Sequence, residues 1–196
     1  MNIEEGKFIN VIDISENKDE FLSFEESLGT SNSITVTIEA IHAITTGNYT
    51  SYPADALRGS KQEHTGVYSW NYPYDKPVLT HHNQRNGEAI GRVKEAEFSD
   101  VSRAGPPVIK LTAEIKDEDA IEKIKDGRYK TVSIGGKAKH AECSICGKDW
   151  VEEGVCEHWP GRKYDGEEMH LIMKGLTFKE VSYVNVPADE YAQTVG

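Results

Sequence analysis

Positive charge is scarce in this chain. Only 22 Lys and Arg stand against 33 Asp and Glu, a formal net charge of −11 over 196 residues. Non-specific nucleic-acid binding depends on clustered cations, and no basic stripe runs through the sequence, so that class of function is set aside. Long apolar runs are missing as well; none approaches the ~20 residues that a membrane-spanning helix needs. The opening stretch, MNIEEGKFINVIDISENKDEF, has neither the basic n-region nor the apolar h-region of a secretory leader. These absences lead to the expectation of a soluble protein made in a reducing cytoplasm. Cysteine is limited to three residues, at positions 143, 146 and 156. An odd, tightly clustered set is a poor disulfide framework and a better metal set. The length suits one domain carrying a small module, and such a chain buries about 70% of its unfolded surface without staples.

What is present changes character along the chain. Residues 1–32 are acidic and polar and read as an arm, with FINVIDI as its one strand candidate. From Ser33 onward, SITVTIEAIHAI alternates apolar and polar positions with β-branched enrichment, the pattern of a half-buried strand. Further strands are expected in KPVLTHH, EAIGRVKEAEF, VIKLTAEI, RYKTVSIGG and HLIMKGLTFKEVSYVNVPA. Two short helices are expected, one from Pro53 to Leu57 and one in KDEDAIEKIKDG, where Asp117 stands at the N-cap and Gly127 at the stop. Asp75 and Asp189 read as turn and surface residues. Residues 138–168 are polar and break the strand rhythm. The expected fold is therefore mainly β: an antiparallel sheet or barrel with short helices over 33–196 and a polar insertion at 138–168.

That insertion holds Cys143-x2-Cys146, nine residues, then Cys156-x-His158. A Cys-x2-Cys knuckle lets two thiolates approach one ion, and Gly147 just after it frees the backbone to curl. Three thiolates and one imidazole complete a closed tetrahedral shell, which suits structural Zn2+ better than a catalytic ion that keeps a position open for water. His140 and His170 are alternative fourth ligands. A module so small and polar would draw its stability from the metal.

Three further residues carry the ingredients of acyl-transfer chemistry. Ser133 lies in the strand-like TVSIGG. His81 and His82 follow an apolar run; on a strand they would point to opposite faces, so only one could meet Ser133. In LTFKEVSYVNV, strict alternation places Phe178, Glu180, Ser182 and Val184 on one face. Glu180 among apolar residues implies a buried carboxylate that needs a partner. Serine is a weak nucleophile until a base takes its proton, and a third group then fixes the tautomer of that base. The aromatic loops SYPADALRGS and SWNYPYDKPV read as packing on the barrel or as a groove wall.

The ordered segments PVLTHHNQRNGEAIGRV, DAIEKIKDGRYKTVSIGG and LTFKEVSYVNVPAD resemble the prohead (capsid-maturation) serine proteases of tailed phages, over roughly Ile34 to Ala188. Those proteases are similar in fold to the herpesvirus assembly protease, a closed β-barrel with surrounding helices. The resemblance implies Ser133 as nucleophile, His82 as base with His81 as fallback, and Glu180 where the herpesvirus enzymes use a second histidine. It implies phage scaffold and major capsid proteins as substrates, a host bacterial cytoplasm within the assembling prohead, and a possible homodimer. Two departures stand out. The arginine pair that helps stabilise the oxyanion in the herpesvirus enzymes has no counterpart in NVPADEY, which leaves backbone N–H groups near Gly135 and Gly136 as candidates. The cysteine insertion is not a general feature of the family. Two other readings fit the same residues: a catalytically inactive assembly or scaffold protein of the same fold, and a zinc-stabilised binding module.

Overall fold

The computed structural model describes residues 32–196, and residues from Ser33 onward form one compact unit. All of the expected acidic arm except Asn32, including its FINVIDI strand, lies outside the described residues. The chain is mainly β. Its first strand, β1 (Ile34–His42), is followed by β2 (Thr50–Ser51) and the short helix α1 (Ala54–Arg58). Next come β3 (Pro77–Thr80), β4 (Gly91–Ser99), β5 (Val108–Ile115) and helix α2 (Glu118–Lys125). The second half holds β6 (Val132–Lys137), β7 (His140–Cys143), β8 (Lys163–Tyr164), β9 (Glu167–Glu168), β10 (Leu171–Lys174), β11 (Thr177–Tyr183) and β12 (Gln193–Thr194). No helix among the described residues is long and apolar enough to cross a membrane.

Local sequence explains most of these elements. In β5 the residues Ile109, Leu111, Ala113 and Ile115 are fully buried and the intervening Lys110, Thr112 and Glu114 face outward, the period-2 pattern of a strand with one dry face. Helix α2 begins where the Asp117 carboxylate accepts the Ala120 N–H at 2.7 Å, buries Ala120 and Ile121, and stops before Gly127, whose φ is +83°.

Seven strands form the main sheet in the order β12-β1-β5-β4-β3-β11-β6. It curls into a half-barrel. The sheet is not wholly antiparallel as expected: β3 and β11 run parallel, while every other neighbouring pair is antiparallel. Those two strands are far apart in sequence, so no hairpin turn dictates their relative direction. The open side of the half-barrel is stitched at one end. Thr131 pairs with Gln193, the Val132 N–H donates to Ala192 O at 3.0 Å, and the Thr194 N–H donates to Lys130 O at 2.9 Å. Beyond Val132, no strand among the described residues lies beside the outer edge of β6.

A three-stranded sheet, β2-β10-β7, continues from β6 after only two residues and carries the cysteine segment. Under the main sheet, the Trp70 indole stacks on Phe178 with centroids 4.7 Å apart and an 11° interplanar angle, and both side chains are buried. This stack braces β11 from the core side. Phe178→Ala is expected to cost about 3–5 kcal/mol, measured by urea unfolding, because it empties a buried aromatic site.

Candidate active site and metal cluster

The site is built on β11, and an irregularity in that strand decides which side chains it presents. Phe178 pairs with Gly136 but Glu180 already pairs with Gly135, so Lys179 is an extra residue in the ladder. The bulge turns Phe178 into the core and Glu180 to the opposite face, which corrects the expectation that Phe178 and Glu180 share a face. Glu180 and Ser182 are both fully buried on that second face, and Val181 and Tyr183 are buried on the first. Gly135 makes the arrangement fit. A Cβ at that position would lie 2.0 Å from Glu180 Oε1 and 2.7 Å from Gln84 Nε2, so only glycine leaves room for the carboxylate.

A buried carboxylate without donors is costly, and Glu180 has several. His82 Nδ1 lies 2.8 Å from its Oε1, the Ser182 hydroxyl donates to its Oε2 at 2.5 Å, and Gln84 Nε2 approaches Oε1 at 3.4 Å. The ionised carboxylate only accepts, so the neutral imidazole carries its proton on Nδ1 and leaves Nε2 bare as an acceptor. Neither histidine of the pair is on a strand. Both follow the end of β3 with left-handed backbones, φ +50° at His81 and +55° at His82. Two successive non-glycine residues in this region are uncommon and need external support. They receive it: the His81 N–H donates to Tyr183 O at 3.0 Å, the His82 N–H to Ser182 Oγ at 3.2 Å, and the Gln84 N–H to His82 O at 2.8 Å. The turn therefore selects His82 to meet the carboxylate and leaves His81 exposed.

Ser133 is the second residue of β6 and is half-buried. It pairs directly with Ser182, so its side chain leaves the sheet on the same face as Ser182 and Glu180. Among the described residues, no hydrogen bond joins Ser133 Oγ to His82. Ser182 is the other hydroxyl nearby, but it is fully buried and committed to Glu180 and the His82 backbone. Of the two, Ser133 alone retains exposed surface. Gly135 is not an oxyanion donor. The Val184 N–H donates to Thr131 O at 3.0 Å, which shows that Thr131 faces β11, and by alternation Ser133 and Gly135 do too.

A groove of about 440 Å³ runs beside the pair, lined by Tyr74, Gln84, Arg92, Lys179 and Glu180 among others. Exposed Tyr74 belongs to its wall, whereas Trp70 and Tyr68 of the same loop are buried core residues. The aromatic segment thus supplies both core and groove-rim residues.

In the insertion, Cys143, Cys146, Cys156 and His158 bring four ligand atoms within 4.8 Å of one another, an arrangement that could hold a metal ion. The knuckle closes through the Gly147 N–H, which donates to Cys143 O at 2.9 Å, with Gly147 at φ +74°. His158 Nδ1 lies 3.7 Å from the sulfurs of both Cys143 and Cys156. The Trp150 indole donates to Cys156 Sγ at 3.1 Å. Burial pushes the Cys156 thiol up, but that indole N–H, the bonds from His158 and the contact with Cys143 outweigh it and hold the thiol at about 6. The two alternative histidines are engaged elsewhere. His140 Nδ1 meets Asp149 Oδ2 at 2.7 Å, and His170 Nδ1 faces the Glu168 carbonyl at 3.3 Å. Asp149 accepts the Ala141 N–H, is further held by Val151 and His140, and sits at about 2 despite its desolvation.

One polar cluster was invisible in the sequence. Asp189, read there as a surface residue, is buried and binds His42: its Oδ2 accepts the His42 N–H at 2.7 Å and meets Nδ1 at 2.8 Å. Glu39 Oε2 lies 3.5 Å from His42 Nε2, and its carboxylate accepts the Arg103 N–H. His42 has no exposed surface, so no substrate can reach it. The cluster ties β1 to the C-terminal segment and is not a second catalytic centre. The residues are 147 positions apart, and no local pattern links them.

Comparison of the chain with protein-family models, with curated proteins and with solved structures finds no match.

The tight packing at Gly135 has a direct consequence. Gly135→Ala is expected to lower stability by about 1–3 kcal/mol in urea unfolding, since the new methyl must displace the Glu180 carboxylate. An unchanged midpoint would show that the carboxylate is not held there.

Proposed function

We propose that the chain is a serine endopeptidase of the prohead-maturation type, with Ser133 as nucleophile, His82 as base and Glu180 as the group that orients it. The observation that carries this reading is the 2.8 Å contact from His82 Nδ1 to a fully buried Glu180 carboxylate, two residues along β11 from Ser182, which pairs with Ser133. His82 Nε2 takes the Ser133 proton as Oγ attacks the substrate carbonyl carbon. Glu180 stabilises the imidazolium so formed and itself stays ionised, taking no proton. The same imidazolium then protonates the departing amine, and water repeats the sequence to release the acyl group. The groove beside Gln84 and Lys179 offers a place for the peptide chain. The order of the sequence motifs supports phage scaffold and major capsid proteins as substrates inside the prohead.

For the cysteine cluster we propose structural Zn2+. Zinc–sulfur and zinc–nitrogen bonds at tetrahedral angles put S and N ligands about 3.6 Å apart, close to the 3.7 Å between His158 Nδ1 and its two sulfurs. Three thiolates and an imidazole favour zinc over harder cations, and four protein ligands leave no open position. The ion would knit the loop between β7 and β10 and so steady the strand pair that extends β6.

A fluorophosphonate probe read by intact mass is expected to label the wild-type protein once and Ser133→Ala not at all. Glu180→Gln should slow labelling by about 10²–10⁴-fold, because it disturbs the tautomer of the base. Labelling that persists in Ser133→Ala would overturn the assignment. Elemental analysis is expected to find one zinc per chain, lost in Cys143→Ser together with a fall in melting temperature; a metal-free protein of unchanged stability would contradict the zinc reading.

A further inference from the structure

The acyl-transfer reading leaves one chemical requirement unmet: donors for the oxygen that turns negative when Ser133 attacks. Gly135 is excluded by its direction, and no arginine follows β11. The free edge of β6 supplies an answer. The Val132 N–H points away from β11, to Ala192 O. Backbone direction alternates along a strand, so the Ile134 N–H also points off that edge. Among the described residues no strand covers it there, because β12 ends its pairing at Thr131.

Beside this edge is a small cavity of about 50 Å³, lined by Ser133, Ile134, Thr46, Asn48, Ala188 and Asp189 among others. About 10–15 Å³ of such space holds one water molecule, so the cavity has room for a carbonyl oxygen. The loop after β1 is held against it: the Gly47 N–H donates to Ala188 O at 2.7 Å. Within that loop the Asn48 amide is oriented. Its Oδ1 receives the hydroxyls of Thr46 and Thr50, the latter at 2.9 Å, which leaves Nδ2 as the free end. The Asp189 carboxylate also lines the cavity, so the two donors must outweigh its charge. Its Oδ2 already meets the His42 N–H and Nδ1, and its Oδ1 accepts the Tyr191 N–H at 3.0 Å.

Resting on the serine-protease reading, we propose that the Ile134 N–H and Asn48 Nδ2 form the oxyanion pocket. When Ser133 Oγ bonds to the carbonyl carbon, its proton passes to His82 Nε2 and the carbonyl π pair moves onto oxygen. That oxygen enters the cavity and accepts both N–H groups. As the carbonyl re-forms, the bond to the leaving group breaks. Asn48 is then a catalytic residue, 85 positions before the nucleophile in the loop that follows β1.

The test uses 4-nitrophenyl butyrate, which reports acyl transfer without peptide specificity. Asn48→Asp keeps the acceptor that Thr46 and Thr50 hold but replaces the donor with an acceptor; Asn48→Ala removes both. Asn48 is exposed, so both variants should fold with near-wild-type melting temperatures. The expected result is a loss of about 10²–10³-fold in kcat for Asn48→Ala, a larger loss for Asn48→Asp, and KM within about threefold. Either folded variant turning over within threefold of wild type would overturn the pocket. A wild-type protein that neither releases nitrophenol nor labels with fluorophosphonate would instead overturn the protease reading, and this assignment with it.

Discussion

A carboxylate with no access to water must be surrounded by donors or it will not stay ionised. Glu180 is such a group, and much of the site is arranged around it. The bulge at Lys179 aims it away from the core. Gly135 leaves the space for it. Ser182, Gln84 and His82 supply its hydrogen bonds, and the left-handed turn at His81 and His82 exists only because β11 backbone and side-chain atoms hold it. Removing any one partner would leave charge in a dry place, where the penalty is several-fold larger than the worth of the bond. Orientation of His82 is thus a by-product of solvating a buried anion, and it leaves Nε2 of an accessible imidazole free to act.

The half-barrel serves this centre through its edges. Parallel pairing of β3 with β11 delivers the histidine turn over Glu180, and antiparallel pairing of β6 with β11 delivers Ser133 opposite Ser182. The seam formed by β12 closes only the first part of β6, so among the described residues the backbone at Ile134 has no strand partner, next to Ser133. An unpaired strand edge is usually a liability; here a loop from β1 and the segment around Ala188 roof it and leave a small cavity. The cysteine module leaves from the other end of β6. It anchors the small sheet that prolongs this strand, at a distance from the chemistry.

Much of this was legible in the sequence. Alternation in VIKLTAEI matched β5 residue for residue, Asp117 marked the cap of its helix, and the spacing of Cys143, Cys146, Cys156 and His158 named a set that the structure brings together. Buried Glu180 was readable from its apolar neighbours, although the face assigned to Phe178 was not, because a bulge adds a residue without changing composition. The parallel β3–β11 pair, the burial of Asp189 against His42 and the position of Asn48 were out of reach for a common reason. Each depends on residues far apart in sequence meeting across a curled sheet, and no periodicity encodes which loop roofs which edge. The choice between His81 and His82 likewise rests on a backbone turn held by β11, not on strand alternation.

The central claim is that Glu180 fixes His82 as the Nδ1–H tautomer with Nε2 bare. Long-range 1H–15N correlation NMR of the folded protein reads this directly from the two ring nitrogens. The account expects a protonated Nδ1 and an unprotonated Nε2 in the neutral imidazole, with that preference lost in Glu180→Gln. A neutral His82 protonated at Nε2, or a tautomer mixture that ignores Glu180→Gln, would contradict it.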